Sequence, residues 1–438
     1  MRRACCSDRI GVLAALVISW FAVAAPPALA ASDDGVWITL GADAFETLTA
    51  GSPVLFHGHP LEAADRADGV VATRVEAKDL ERISARLHDA FERCAGFMAH
   101  GSRAEAEAVL ARLRAPAEVE GTPPVYAVDH PAEVQAMLGE LDANQILGTI
   151  HSLSTTFNNR YYNHPSGANA ATWIRNLWLA YAAGRPDVTV ELFDHPSFAQ
   201  PSVVMTIPGT TLPDQVVILG GHLDSIASGS SNPDFSAPGA DDNASGIATV
   251  TEVARAMLAL GLEPQRTVKF MGYAAEEVGL RGSQEIASAY ATDGVDVFSV
   301  LQLDMTAFQG STEDVSVITD FTSAPLNTFL EEILDTYLPD LSWSTSACGY
   351  ACSDHGAWTF QGYPAAFTFE ARFGQHNHQI HSTGDTVTTF GDTAAHAFKF
   401  VRLAAAYVAE AAYDGLNPLF ADGFETGSTS AWTLTFEE

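Results

Sequence analysis

Hydrophobic positions repeat with two different periods along this chain. Over 78–98, Leu80, Ile83, Leu87, Phe91 and Cys94 recur at spacings of three and four, which makes one apolar face of a helix. The same pattern predicts helices over 104–113, 131–153, 167–183, 245–260, 282–292, 325–337 and 393–413. Short runs rich in β-branched and aromatic residues predict strands over 36–40, 70–75, 202–207, 216–220, 267–275, 298–305, 315–319 and 364–370. VVILG and VLQLDM are nearly continuous apolar runs, as suits strands buried on both faces. Strands interleaved with helices predict an α/β fold, with a mixed, largely parallel central sheet flanked by helices on both faces. In such sheets ligands bind beyond the carboxyl ends of the strands.

Local punctuation divides the chain into four parts. Arg2, Arg3 and Arg9 lead into an apolar run over 10–25, and Ala28-Leu29-Ala30 closes it with small residues, so 1–30 reads as a secretory signal peptide. The run is too short to span a membrane, and Pro26-Pro27 ends it. Residues 31–128 form a small α+β unit, closed by the linker Gly121-Thr122-Pro123-Pro124, and read as a pro-region. Residues 129–415 are the main domain, and 416–438 are a C-terminal tail to which no role attaches. The expected localisation is extracellular. Cys5 and Cys6 would leave with the signal and Cys94 with the pro-region, which leaves Cys348 and Cys352. An exported protein meets an oxidising compartment that permits a disulfide. Their C-x-x-x-C spacing favours a small disulfide loop over the alternatives, a redox pair or a thiolate metal site.

Charge narrows the function. Lys+Arg 22 against Asp+Glu 54 give a formal net charge of −32, which argues against nucleic acid and against docking on anionic lipid. With 47 % hydrophobic residues the chain is still able to build a core, so it is no disordered acidic segment.

The candidate chemistry falls at the strand exits. VVILG runs into Gly221-His222-Leu223-Asp224, and Asp241-Asp242-Asn243 precedes a helix. VKFMGYAA ends in Glu276-Glu277, VLQLDM ends in Asp304-Met305, and His381 follows much later. Taken singly, these are ordinary caps and surface acids. Taken together, two histidines and three carboxylates are the ligands expected for a pair of zinc ions. A further carboxylate is then needed to shuttle a proton, and Glu276 suits that role. Asp224 is placed to accept the other imidazole N–H of His222.

The stretches GGHLDS, PGADDNASG, YAAEEVGLRGS, LQLDM, CGYACSDH and QIHSTGDT closely resemble those of the secreted bacterial leucyl aminopeptidases of the M28 family of di-zinc peptidases. The resemblance runs over about 132–413 with order and spacing kept. It implies a zinc-exopeptidase type of sheet and two Zn2+ per chain. His222 and Asp304 would hold one ion, Glu277 and His381 the other, and Asp242 rather than Asp241 would bridge them. It makes Glu276 the general base and Asp224 the acid that orients His222. It pairs Cys348 with Cys352, and it places Met305, Ile318, Tyr350, Phe369, Phe373 and Ile380 in an apolar substrate pocket. Phe367 and His376 stand where family members usually carry Met or Tyr. The implied activity is removal of a large hydrophobic, leucine-like N-terminal residue from peptides by a metal-bridged hydroxide. The expected partners are peptides with a free N-terminus, and the expected state is a monomer.

Two alternatives stand beside this expectation. A metallocarboxypeptidase or another hydrolase on the same scaffold would need a cation for the free carboxylate, and only Arg281 and Arg372 lie near the motifs. A non-catalytic binding protein would be expected to have lost a ligand or the base, and none is lost. Calcium alone would leave His222 and His381 unexplained.

Overall fold

Four parallel strands make the middle of the larger sheet, and they carry the site. The computed structural model describes residues 35–114 and 124–414, apart from 92, 94, 95, 228–231 and 233. The predicted signal segment, the tail and most of the linker lie outside the described residues.

The first unit holds β1 (Gly35–Gly41), α1 (Ala42–Thr49), the short pair β2 (Leu55–Phe56) and β3 (His59–Pro60), β4 (Asp65–Ala67), β5 (Val70–Glu76), α2 (Leu80–Phe91), β6 (Phe97–His100) and α3 (Arg103–Arg114). Its main sheet has the order β4-β5-β1-β6, with every pairing antiparallel. The helix predicted over 78–98 is shorter than its periodicity suggested. It stops at Phe91, and Phe97–His100 pairs as an edge strand with β1. Gly96, at φ 80°, occupies the left-handed region between them that favours glycine.

The second unit follows as α4 (Pro131–Glu140), α5 (Ala143–His151), α6 (Pro165–Tyr181), β7 (Thr189–Phe193), β8 (Ser202–Ile207), β9 (Leu212–His222) and α7 (Ala244–Ala259). It continues with β10 (Arg266–Tyr273), α8 (Arg281–Asp293), β11 (Asp296–Leu303), β12 (Val315–Ile318), α9 (Ala324–Tyr337) and β13 (Trp343–Ser346). The last elements are α10 (His355–Phe360), β14 (Ala365–Phe369) and α11 (Ala397–Ala411). The single helix predicted over 131–153 is two. The chain turns at Leu141, and Asp142 caps α5 by accepting from the Asn144 amide, which starts a new helix. The strands β7 and β13 and the short α10 have no counterpart in the sequence prediction. β7 and β13 lie at the two edges of the sheet, where patterning is weakest.

The large sheet has the order β13-β12-β14-β11-β9-β10-β8-β7. Its central run β14-β11-β9-β10 is parallel, while β8 and β7 join antiparallel on one side and β12 antiparallel on the other. The sheet is therefore mixed with a parallel centre, as the alternation of elements predicts. Val217, Leu219, Leu301 and Leu303 face the α7 and α11 side in one core, whereas Val216, Ile218, Val300 and Met271 pack beside Trp358 and Ile286 in another. Covering both faces leaves the strand ends as the place for polar chemistry. Among the described residues no helix is long and apolar enough to cross a membrane.

Candidate metal centre and the cover over it

The carboxyl ends of the parallel strands deliver the polar groups to one place. β9 ends at His222, β10 leads to Glu276 and Glu277, β11 to Asp304, and β14 to Glu370. Asp242 arrives on the turn that opens α7, and His381 on a late loop. Ala275, Met305 and His381 all sit at φ near +55° (55°, 56° and 54°), where residues with a side chain are strained. Such strain persists only where surrounding structure holds it, here two strand exits and the loop of His381.

The turn before α7 is fixed from several sides. Asn243 accepts from the Gly246 amide at 2.8 Å and donates to the Leu303 carbonyl at 3.0 Å, so it caps α7 and ties it to β11. A Cβ at Gly246 would lie 2.2 Å from Asn243 Oδ1 and 2.4 Å from the Leu303 oxygen, so only glycine allows the close approach. Asp385 accepts from the amides of Asp241 and Asp242 at 3.1 and 3.0 Å, which holds the two acids in register.

The result is two triads that share a carboxylate. His222, Asp242 and Asp304 form one, and Asp242, Glu277 and His381 the other. His222 Nε2 lies 3.1 Å from Asp242 Oδ1 and 3.3 Å from Asp304 Oδ1. His381 Nε2 lies 3.2 Å from Asp242 Oδ2 and 2.7 Å from Glu277 Oε2. All of these side chains are buried. Asp241, the neighbour of the shared acid, faces elsewhere: its Oδ1 accepts from the Ala307 amide and its Oδ2 from Asn377.

These residues suit a metal by an internal test. Both ring nitrogens of His222 and His381, both oxygens of Glu276 and Glu277, and Oδ1 of Asp304 are buried without an aligned hydrogen-bond partner among the described residues. Burying so many polar atoms unmatched is costly unless something else engages them. Donor atoms around a tetrahedral zinc stand roughly 3.3–3.6 Å apart. Three of the four spacings above fall close to that, and the donor set of imidazole and carboxylate is one zinc accepts.

Electrostatics points the same way. Burial pushes Asp242 up, yet His222 and His381 hold it well below the usual carboxylate range. Burial lowers the two imidazoles, but their carboxylate neighbours prevail: His222 is raised well above its ordinary value and His381 to about 10. Burial raises Glu277 to about 7 and raises Glu276 well above the usual range; the nearby His222 opposes the rise in Glu276, and Glu277, Asp354 and Asp304 add to it.

Neighbouring groups orient this centre. Asp224 accepts from the Glu276 and Glu277 amides at 2.9 and 3.2 Å and lies 3.4 Å from His222 Nδ1. It therefore links the exits of β9 and β10 as well as facing the imidazole. Ser353 donates to Asp304 Oδ2 at 2.7 Å. Sequence reasoning assigned no role to Ser353, Asp385 or Arg160. The first two lie inside quoted motifs, CGYACSDH and STGDT, where their position beside histidines and acids was the available signal.

Beside the centre lies one apolar cluster. It gathers Met305, Ile318, Tyr350, Phe369 and Ile380, with Phe373 packed against it, so every residue expected to line a pocket is in one place. Phe367 belongs to it as well, and the His376 ring lies tilted against Phe369 and Phe373 with its centroid 5.5 Å from each. Cys348 and Cys352 are joined in a disulfide within the same cluster. The two cations weighed for carboxylate recognition are engaged elsewhere: Arg372 pairs with Glu313, and Arg281 donates to Ser197 and lies over Phe198.

The first unit covers this region. His88 of α2 packs against His381 with ring centroids 4.5 Å apart and planes tilted by 45°, and the Arg93 guanidinium lies 4.9 Å over the Tyr350 ring. The Ala99 amide donates to the Gly279 carbonyl and Gln284 donates back to the Ala99 carbonyl, both at 2.9 Å. Tyr161 donates to Glu81 at 3.1 Å. Leu80, Ile83 and Phe97 share a core with Ala274, Ala275 and Val278, the segment that carries Glu276 and Glu277.

Residues 202–406 match the family described as Peptidase family M28. The chain is 39 % identical over 279 residues to a probable leucine aminopeptidase of Arthroderma benhamiae, covering 62 % of this chain and 75 % of that protein. The chain belongs to peptidase family M28. It is a hydrolase of the aminopeptidase type. Among solved structures, the M28 chain is similar to the LapA aminopeptidase of Legionella pneumophila at a TM-score of 0.72 and 25 % identity, covering 87 % of this chain and all of that one. That share is too large for 129–415 alone, so the likeness includes part of the first unit. A zinc aminopeptidase from Bacillus subtilis, BSAP, shares the fold at a TM-score of 0.52 and 14 % identity, covering 63 % of this chain and 96 % of that one.

Proposed function

We propose that this M28 chain is a zinc-dependent aminopeptidase that removes a large hydrophobic, leucine-like residue from the free N-terminus of peptides. The observation that carries the reading is the pair of buried triads sharing Asp242, next to an apolar cluster of side chains. His222 and Asp304 would hold one ion, Glu277 and His381 the other, with Asp242 common to both. Two zinc ions held there would polarise the scissile carbonyl and lower the pKa of a bound water towards neutrality.

The chain's own residues do the rest. Glu276 takes a proton from the attacking water and delivers it to the departing amine, so no proton is gained or lost over the cycle. Its burial, which raises its affinity for a proton, suits an acceptor that must later donate. Asp224 holds both the His222 ring and the Glu276–Glu277 main chain. The pocket of Met305, Ile318, Phe369, Phe373 and Ile380 takes the first side chain, and its lack of charge favours apolar ones. Tyr350, a member of the same cluster, would be a donor for the oxyanion. Surrounding carboxylates attract the peptide's ammonium end and repel a free carboxylate.

The same reading makes the protein exported, through residues 1–30, and latent until 31–128 is removed. What supports latency is the cover itself: His88 on His381 and Arg93 on Tyr350 occupy the approach to both centre and pocket.

Hydrolysis of leucyl amide, compared with its N-acetylated form, tests the activity. Cleavage of the free amine alone is expected, and equal cleavage of both would contradict the proposal. Mass spectrometry of protein recovered from culture medium tests the pro-region. A fully active species that still contains 35–114 would end that part.

A further inference from the structure

Arg160 is a buried cation with no acid at contact distance among the described residues. It lies between α5 and α6, is 1 % exposed, and spends its guanidinium entirely on main-chain carbonyls. Nε donates to Leu223 at 2.9 Å, Nη1 to Leu153 at 3.1 Å and Pro238 at 2.6 Å, and Nη2 to Gly239 at 2.7 Å. Its own amide donates to Ser225 Oγ, which in turn donates to the Ala237 carbonyl. Burial lowers its pKa to about 10, with Asp385, Asp224, Asp242 and Glu277 pulling the other way, so it stays charged at neutral pH.

The choice of carbonyls is informative. Leu223 sits between His222 and Asp224 at the exit of β9, and Pro238 and Gly239 begin the turn that carries Asp242. One rigid fork therefore spans the two segments whose side chains meet at 3.1 Å. The turn has no slack against it: a Cβ on Gly239 would lie 2.7 Å from Arg160 Nη2 and 2.3 Å from the Asp242 carbonyl oxygen. A buried charge is expensive, and an arginine used only to satisfy carbonyls would be an odd choice far from any acid. Here it also supplies a fixed positive charge beneath a cluster of buried carboxylates.

We propose that Arg160 is a positioning residue for the metal centre, setting the separation of the His222 strand exit from the Asp242 turn. This rests on the two-zinc reading. Lysine keeps the charge but has three donors on a flexible stem, so it cannot reproduce the four-carbonyl fork.

The test is zinc affinity of the purified full-length chain, measured by competition with a chromophoric chelator, for wild type, R160K and R266K. Arg266 is a second buried arginine that donates to main-chain carbonyls, of Ala411 at the end of α11 and of Tyr413 just after it, away from the centre. Both variants are expected to lower Tm, and only R160K is expected to weaken zinc binding, by about 10–100-fold. Ser225→Ala, which cuts the same lattice more gently, is expected to weaken it by about tenfold and serves if R160K does not accumulate. Native zinc affinity in R160K, or in Ser225→Ala where R160K fails to fold, overturns the proposal. An equal loss in R266K does so too, because it would make the effect one of general stability. A wild type that binds no zinc overturns the two-zinc reading and this proposal together, whereas zinc uptake unchanged by R160K overturns the proposal alone.

Discussion

Two clusters of buried ionisable groups lie side by side at the end of the large sheet, alike in burial and opposite in bonding. In one, Asp241, Glu370 and Asp385 are fully engaged: Glu370 accepts from the amides of Phe308 and Asn377, Asp241 from Ala307 and the Asn377 side chain, Asp385 from two consecutive amides. In the other, His222, Glu277, Asp304 and His381 present buried polar atoms with no aligned partner among the described residues. The difference teaches that burial alone does not mark a site. Carboxylates that collect amides are scaffold, holding loops in place through charge-assisted bonds. Carboxylates and imidazoles that crowd one another instead are ready for cations. Asp241 and Asp242 are neighbours in sequence, and the boundary between the clusters runs between them.

Substitutions on either side should separate the roles, the strongest first. Glu276→Gln keeps the shape of the base but cannot accept the proton. Turnover of leucyl amide should fall by about 10²–10⁴, with zinc content unchanged on metal analysis. A variant that lost its zinc would instead make Glu276 a ligand. Asp385→Ala should act through stability, because two amides lose their acceptor, at about 1–3 kcal/mol each. Chemical denaturation should show the loss, while zinc per folded chain at saturating free zinc stays at the wild-type value. Loss of zinc without loss of stability would move Asp385 into the functional cluster.

Histidines offer a milder form of the contrast. His100, bonded to Thr39 in the first unit, is buried away from acids, and burial lowers its pKa to about 4. The unfolded chain binds the proton more readily, so its contribution to stability is full above about pH 6.5 and is lost as the pH falls towards 4. The loss is roughly 3 kcal/mol, and His100→Gln should flatten the fall in Tm over that window. An unchanged pH profile in the variant would mean that other groups dominate acid sensitivity.

Much of this was legible in the sequence, and for physical reasons. Strands buried on both faces read as continuous apolar runs, so the middle of the sheet and its parallel sense were visible. The seven polar residues expected at the centre lie at strand exits or on loops that converge there, because motif and strand end coincide. Edge strands such as Thr189–Phe193 and Trp343–Ser346 were not legible, since half-exposed short strands carry little pattern. The helix predicted through 98 ends at Phe91 and Phe97–His100 is a strand, although apolar residues keep the helical spacing across both, so periodicity alone does not mark the boundary. Arg160 left no trace either. An arginine among polar residues reads as surface, and its partners are carbonyls, which no side-chain pattern records.

The sharpest test compares the two adjacent acids. Zinc per chain, measured for Asp241→Asn and Asp242→Asn after dialysis against the same free zinc, asks directly whether one carboxylate is shared by two ions. The account predicts two ions in wild type and in Asp241→Asn, and fewer than two in Asp242→Asn. Two ions retained in Asp242→Asn, or lost only in Asp241→Asn, would contradict it.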